Sequence, residues 1–109
     1  MTQTPASTVS IVLTTLSAET DAAAIARTLI DERLAACVNI LSPMTSIYRW
    51  QGKVEQDREQ QLVIKTASDR VADLQARLRQ LHPYELPEFL VLDATGSEAY
   101  VAWVGEAAR

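Results

Sequence analysis

The chain has 109 residues, 48% of them apolar and 22% charged, with a net charge of −4. That is enough for one domain with a proper core. The absence of a basic excess argues against nucleic acid as a partner, and no apolar run nears the ~20 residues of a membrane span. Cys37 is the only cysteine, which suits a reducing compartment, and the polar start Met1 to Ser7 does not read as a secretory signal, so the expectation is a cytoplasmic protein.

Residues 1–7 are expected to be a flexible tail, and 8–109 a single domain. Val9 to Thr15 is a β-branched run of strand type. Ser17 is a candidate N-cap for a helix over about Ala18 to Ala35, with Ile25, Ala26, Leu29, Ile30 and Leu34 at helical spacing. Cys37 to Leu41 forms a second strand, interrupted at Ser42-Pro43, where a bulge or bend is expected. Thr45 to Trp50 resumes the extended pattern, Gln51-Gly52 makes a two-residue hairpin turn, and a third strand returns from Lys53 to Ile64. On that return strand Glu55, Asp57 and Glu59 share one face. Ser68 or Asp69 caps a second helix with the buried stripe Val71, Leu74, Leu78, Leu81, supported by an Asp73–Arg77 pair and ended by Pro83. Phe89 to Leu92 is the fourth strand, and Ser97 caps a last helix holding Tyr100, Trp103 and Val104.

The order β-α-β-β-α-β plus a terminal helix predicts a ferredoxin-like α+β fold. Right-handed crossovers would place both helices on one face of an antiparallel sheet. The second face would then be closed by self-association.

The stretch His82-Pro83-Tyr84-Glu85-Leu86-Pro87-Glu88 holds the only histidine and two of the four prolines. The prolines fix the backbone, so the polar groups stand in a rigid arrangement. Lys65, Tyr84, Glu85 and Glu88 form either a small-ligand site or a hydrogen-bonded network at an interface. Tyr48, Trp50 and Trp103 read as interface anchors. His82 is either a metal ligand or a helix-end histidine bonded to backbone. Cys37 in an apolar strand start reads as a small hydrophobe rather than a thiolate ligand. Glu59 with its strand neighbours reads as solvated or ion-paired more readily than as a cation site. No Ser-His-Asp or Cys-His pattern is present, so no enzymatic reaction is expected.

Six segments carry a family resemblance: Thr14-Thr15, Leu34 to Ile40, Ser46 to Lys53, Leu62 to Thr66, His82 to Glu88, and Tyr100 to Trp103. Together the chain resembles the CutA family, named for divalent cation tolerance. The resemblance implies a homotrimer similar in architecture to the PII signalling proteins. It implies a role in divalent metal tolerance, copper above all, with Cu or Zn as the candidate metal. Of the copper ligands proposed for some members it implies only His82, because Thr14 and Leu81 stand where those members carry Cys and His. A PII-like sensor of a small anionic metabolite, or a scaffold for a protein partner, is the alternative.

Overall fold

The computed structural model describes residues 8–109, so the expected tail over 1–7 lies outside the described residues. The elements run β1 (Val9–Ser17), α1 (Ala22–Asp31), β2 (Cys37–Ile40), β3 (Met44–Trp50), β4 (Lys53–Ala67), a 3-10 turn (Ser68–Arg70), α2 (Val71–Leu81), β5 (Leu90–Ala94) and α3 (Glu98–Ala107). All pairings are antiparallel, in the order β2-β4-β1-β5, with β3 also on β4. With β2 and β3 taken as one interrupted strand, this is the expected ferredoxin-like sheet.

Alternation along the strands sorts the two faces. Val12 and Leu16 of β1 and Leu62 and Ile64 of β4 pack with Ile25 and Leu29 of α1 and Leu74 and Leu78 of α2, forming the core. The opposite face carries Ile11, Leu13, Val63 and, on the edge strand, Leu90 and Leu92, the last two 55% and 52% exposed. Neither α1 nor α2 covers it. α3 contacts β1 and β4 and fully buries Val104 and Ala108. Its end is held near residue 69 by the Arg109–Asp69 ion pair.

Several elements differ from the sequence expectation. β1 runs on to Ser17, paired with Glu59, so Ser17 caps no helix. Its hydroxyl instead accepts the Glu19 N–H in a turn, and Asp21 caps α1 by accepting from the Ala24 N–H. α1 also stops at Asp31 rather than Ala35. The Leu34 N–H bonds to the Leu29 carbonyl and the Arg33 N–H to that of Ile30, with Arg33 left-handed at φ 59°. This is a Schellman close, with arginine where glycine is usual. Neither Ser68 nor Asp69 caps α2. Ser68 bonds instead to Thr8 and Ser10, and the α2 N-cap position, Arg70, makes no capping bond. Asp73 pairs with Arg70, and Arg77 forks onto Glu32 of the α1 end.

The interruption at Ser42-Pro43 has the largest consequence. Ile40 pairs with Leu62, and Met44 with Glu59. Four steps on one strand therefore span three on the other, which is a bulge of one residue. A one-residue offset exchanges the faces. Odd residues of β2 share a face with odd residues of β4, but so do the even residues of β3: Met44, Ser46, Tyr48 and Trp50. The bulge thus turns Tyr48 and Trp50 toward Glu55, Asp57 and Glu59. The Gln51-Gly52 turn closes the hairpin with both φ angles positive, 52° and 82°, as a type I′ turn requires. The hairpin extends far beyond the helices and gives the molecule a long axis of 56 Å.

Candidate functional site

A cleft of about 950 Å³ lies where the hairpin leaves the body of the sheet. Its floor is the second sheet face: Thr15, Ser17, Asp57, Glu59, Gln61, and Met44, Ser46, Tyr48 and Trp50 across the bulge. Its wall is the strap from Pro83 to Glu88. The strap begins where Pro83 ends α2, holding His82 extended at φ −81°, ψ 130°.

Three side-chain links tie the strap down. The first runs through His82, which is 7% exposed. Its Nε2 lies 2.7 Å from the Thr15 carbonyl, and its Nδ1 accepts the Tyr84 N–H at 3.1 Å. A carbonyl only accepts and an amide N–H only donates, so the ring is the neutral tautomer with the proton on Nε2. Thr15 lies two residues beyond Leu13, the last β1 residue that β5 pairs with, so the imidazole takes over a sheet-edge carbonyl. Burial lowers the His82 pKa, against the opposing pull of the Thr15 carbonyl and the Glu59 charge.

The second link is the Tyr84 hydroxyl donating to Glu59 Oε2 at 2.6 Å. Glu59 is only 7% exposed, and no ion pair to it occurs among the described residues. Burial, reinforced by the bond to Glu59, raises the Tyr84 phenol well above its ordinary range. The third link is Gln61, whose Nε2 donates to Glu88 Oε2 at 3.0 Å and to the Thr14 carbonyl at 2.8 Å. On the hairpin side Tyr48 donates to Asp57, and this bond pushes its phenol up to about 12. Both tyrosines therefore remain protonated donors at neutral pH, and both carboxylates keep their second oxygen for another partner.

Of the residues singled out in the sequence, the cleft gathers Tyr48, Trp50, Glu59, Tyr84, Glu85 and Glu88. Lys65 is on the same sheet face but six residues from Glu59 along β4, about 20 Å at strand rise. It faces Cys37 and Ile11 on the flanking strands. Cys37 is half-buried there. Trp103 is on α3, 44% exposed and tilted against Tyr100 with ring centres 5.5 Å apart. Sequence reasoning missed Thr15, Ser17, Met44, Ser46 and Gln61. Gln61 was within reach, since strand alternation places it on the face of Glu59; Met44 and Ser46 depend on the bulge.

The expected copper site does not fit these residues. Both His82 nitrogens are occupied by the chain itself. Among the described residues no three or more His, Cys, Asp or Glu side chains converge to hold a metal. A closed cation site would need donors from a second chain.

The architecture defines a ferredoxin-like α+β domain that leaves one apolar sheet face open and sets an aromatic–carboxylate cleft into that face. Residues 10–107 match the family described as CutA1 divalent ion tolerance protein, and the chain belongs to that family. It is 46% identical over 97 residues to the divalent-cation tolerance protein CutA of Thermus thermophilus, covering 88% of this chain and 94% of the relative. It is 43% identical to human protein CutA over 88% of this chain but only 54% of that longer protein. Among solved structures, CutA1 of T. thermophilus superposes with TM-score 0.87 at 44% identity, covering 93% of this chain and 99% of the other. CutA of Xylella fastidiosa superposes with TM-score 0.88 at 40% identity, covering 93% and 98%. The T. thermophilus relative is named for tolerance, not for a reaction. No helix among the described residues is long and apolar enough to cross a membrane.

Proposed function

We propose that the chain works in divalent-metal tolerance as a cytoplasmic, non-enzymatic homotrimer whose clefts hold a divalent cation or a small ligand between subunits. One observation carries this reading. The cleft is set into the same sheet face that exposes Ile11, Leu13, Val63, Leu90 and Leu92. A second copy seated on that apolar face also closes the cleft. The hairpin favours such assembly, because its two faces differ in charge. Glu55, Asp57 and Glu59 are on one face, and Ile47, Arg49, Val54 and Arg58 on the other. Slabs with opposite faces stack head to tail, and such a contact gives a trimeric ring when each copy is rotated by a third of a turn.

The donors on offer are carboxylate oxygens of Asp57, Glu59 and Glu88, beside two protonated phenols. Oxygen donors suit Zn(II), Cu(II) and harder ions better than Cu(I). Among the described lining residues the carboxylates of Asp57, Glu59, Glu85 and Glu88 outnumber the one cation, Arg58, which disfavours an anionic metabolite. Calorimetric titration of chelator-stripped protein with Zn(II) and Cu(II), alongside Glu59→Gln, tests the reading. Saturable binding that weakens at least tenfold in Glu59→Gln is the expected result. Binding of neither ion, or equal binding by the variant, removes the cation from this cleft.

A further inference from the structure

The lone histidine is where a metal would ordinarily be sought, and its surroundings say otherwise. We infer that His82 is a positioning residue, a latch that fixes the cleft wall to the sheet, and that it contributes no metal–ligand bond. Among the described residues, no backbone–backbone hydrogen bond ties residues 83–89 to the rest of the chain. Beyond the packing of Phe89 against the core, the strap is held to the sheet by its three side-chain links, and the His82 link comes first in sequence. One imidazole, tilted against Tyr84 at 4.9 Å between ring centres, bridges β1 and the strap through both of its nitrogens. Fixing the Tyr84 amide fixes the start of its side chain, and that side chain delivers the hydroxyl to Glu59. The connection therefore runs Thr15 carbonyl, imidazole, Tyr84 amide, Tyr84 hydroxyl, Glu59 carboxylate. A metal on either nitrogen would have to displace one of the two bonds and detach the strap from β1. It would also find no further His or Cys converging on it.

This assignment does not depend on what the cleft holds; a cleft that binds nothing leaves the expected results unchanged. The test is nitrogen-15 NMR of the imidazole in the intact, chelator-stripped protein, before and after excess Zn(II), with amide hydrogen exchange on two variants. His82→Gln keeps a donor near the Nε2 position, and His82→Asn keeps an acceptor near the Nδ1 position. The parent is expected to show the neutral Nε2–H tautomer and to keep it in excess Zn(II). Each variant loses one of the two bonds, so the Tyr84 amide, the one strap amide with a hydrogen-bond acceptor among the described residues, should exchange about tenfold faster, with the β1 and β4 core amides unchanged. Loss of the Nε2–H tautomer or of the Tyr84 N–H bond to Nδ1 on adding Zn(II) would overturn the inference. So would variants that lose Zn(II) binding while their Tyr84 amide exchanges like that of the parent. If both variants fail to fold, the parent tautomer and its response to Zn(II) decide alone.

Discussion

Replacing Tyr84 with phenylalanine removes one oxygen atom and leaves the aromatic wall of the cleft in place. The lost group donates at 2.6 Å to a carboxylate that is 7% exposed and has no described ion-pair partner. A hydrogen bond to a charged group contributes about 1.5–3 kcal/mol. Tyr84 itself is only part-buried, and water can reach the vacated carboxylate oxygen from the open cleft, so about 1.5 kcal/mol is the reasonable expectation. For a chain of this length that corresponds to a fall of about 6 °C in Tm. The assay is urea and thermal unfolding at fixed protein concentration, since assembly makes the midpoint concentration-dependent. A double-mutant cycle with Glu59→Gln separates the bond from general damage: the pair should couple by about 1 kcal/mol or more. A Tyr84→Phe protein as stable as the parent, with no coupling to Glu59, would refute the view that this bond holds the strap.

Thr14 is 1% exposed on the helix-facing side of β1, and its hydroxyl is a buried polar atom with no hydrogen-bond partner among the described residues. Thr14→Val should therefore stabilise by about 1 kcal/mol, seen as a rise of about 4 °C in Tm. Gln51 is left-handed in the hairpin turn, and Gln51→Asn supplies the preferred Asn-Gly pair, so urea unfolding should show a gain of about 0.5 kcal/mol. His82 has a folded-state pKa lowered by burial, so the unfolded chain binds its proton more readily. Its contribution to stability is complete above the ordinary histidine value of about 6.5 and is lost as pH falls through the lower folded value. Unfolding free energy measured from pH 7.5 to 5 should decline more steeply in the parent than in His82→Gln. Deleting Pro43 removes the extra residue of the bulge. Three steps on each strand then join Ile40–Leu62 to Met44–Glu59, so the register holds, Trp50 stays on the cleft face, and Trp50 fluorescence should match that of the parent.

The fold was readable from the chain because the strands and α2 announce themselves by period and are stopped by strong signals. Pro83 ends α2 where expected, and Gln51-Gly52 turns the hairpin. α1 was overextended at both ends for identifiable reasons. Ser17 looks like a cap but belongs to a strand whose length is set by pairing with distant Glu59. The C-terminal close uses Arg33 in a conformation that normally advertises itself as glycine. Leu34 continues the apolar spacing only because it folds back into the core after the helix has ended. The site was legible in part. Strand alternation alone places Glu55, Asp57 and Glu59 together, and the prolines mark the strap as rigid. Tyr48 and Trp50 join them only through a one-residue bulge, whose existence the Ser42-Pro43 break suggests but whose size it does not state. Lys65 looked like a site residue because it closes an apolar strand; distance along β4 separates it from the strap. The partner of His82, a backbone carbonyl 67 residues away in sequence, leaves no trace in residue identity at all.

Native mass spectrometry of the chelator-stripped protein, titrated with Zn(II) and run beside Glu59→Gln, tests assembly and cleft occupancy together. A trimer that takes up three ions, with uptake lost in Glu59→Gln while the trimer persists, is the predicted result. A monomer at micromolar concentration, or a trimer whose ion uptake is the same in both proteins, would contradict a cation site in clefts between subunits.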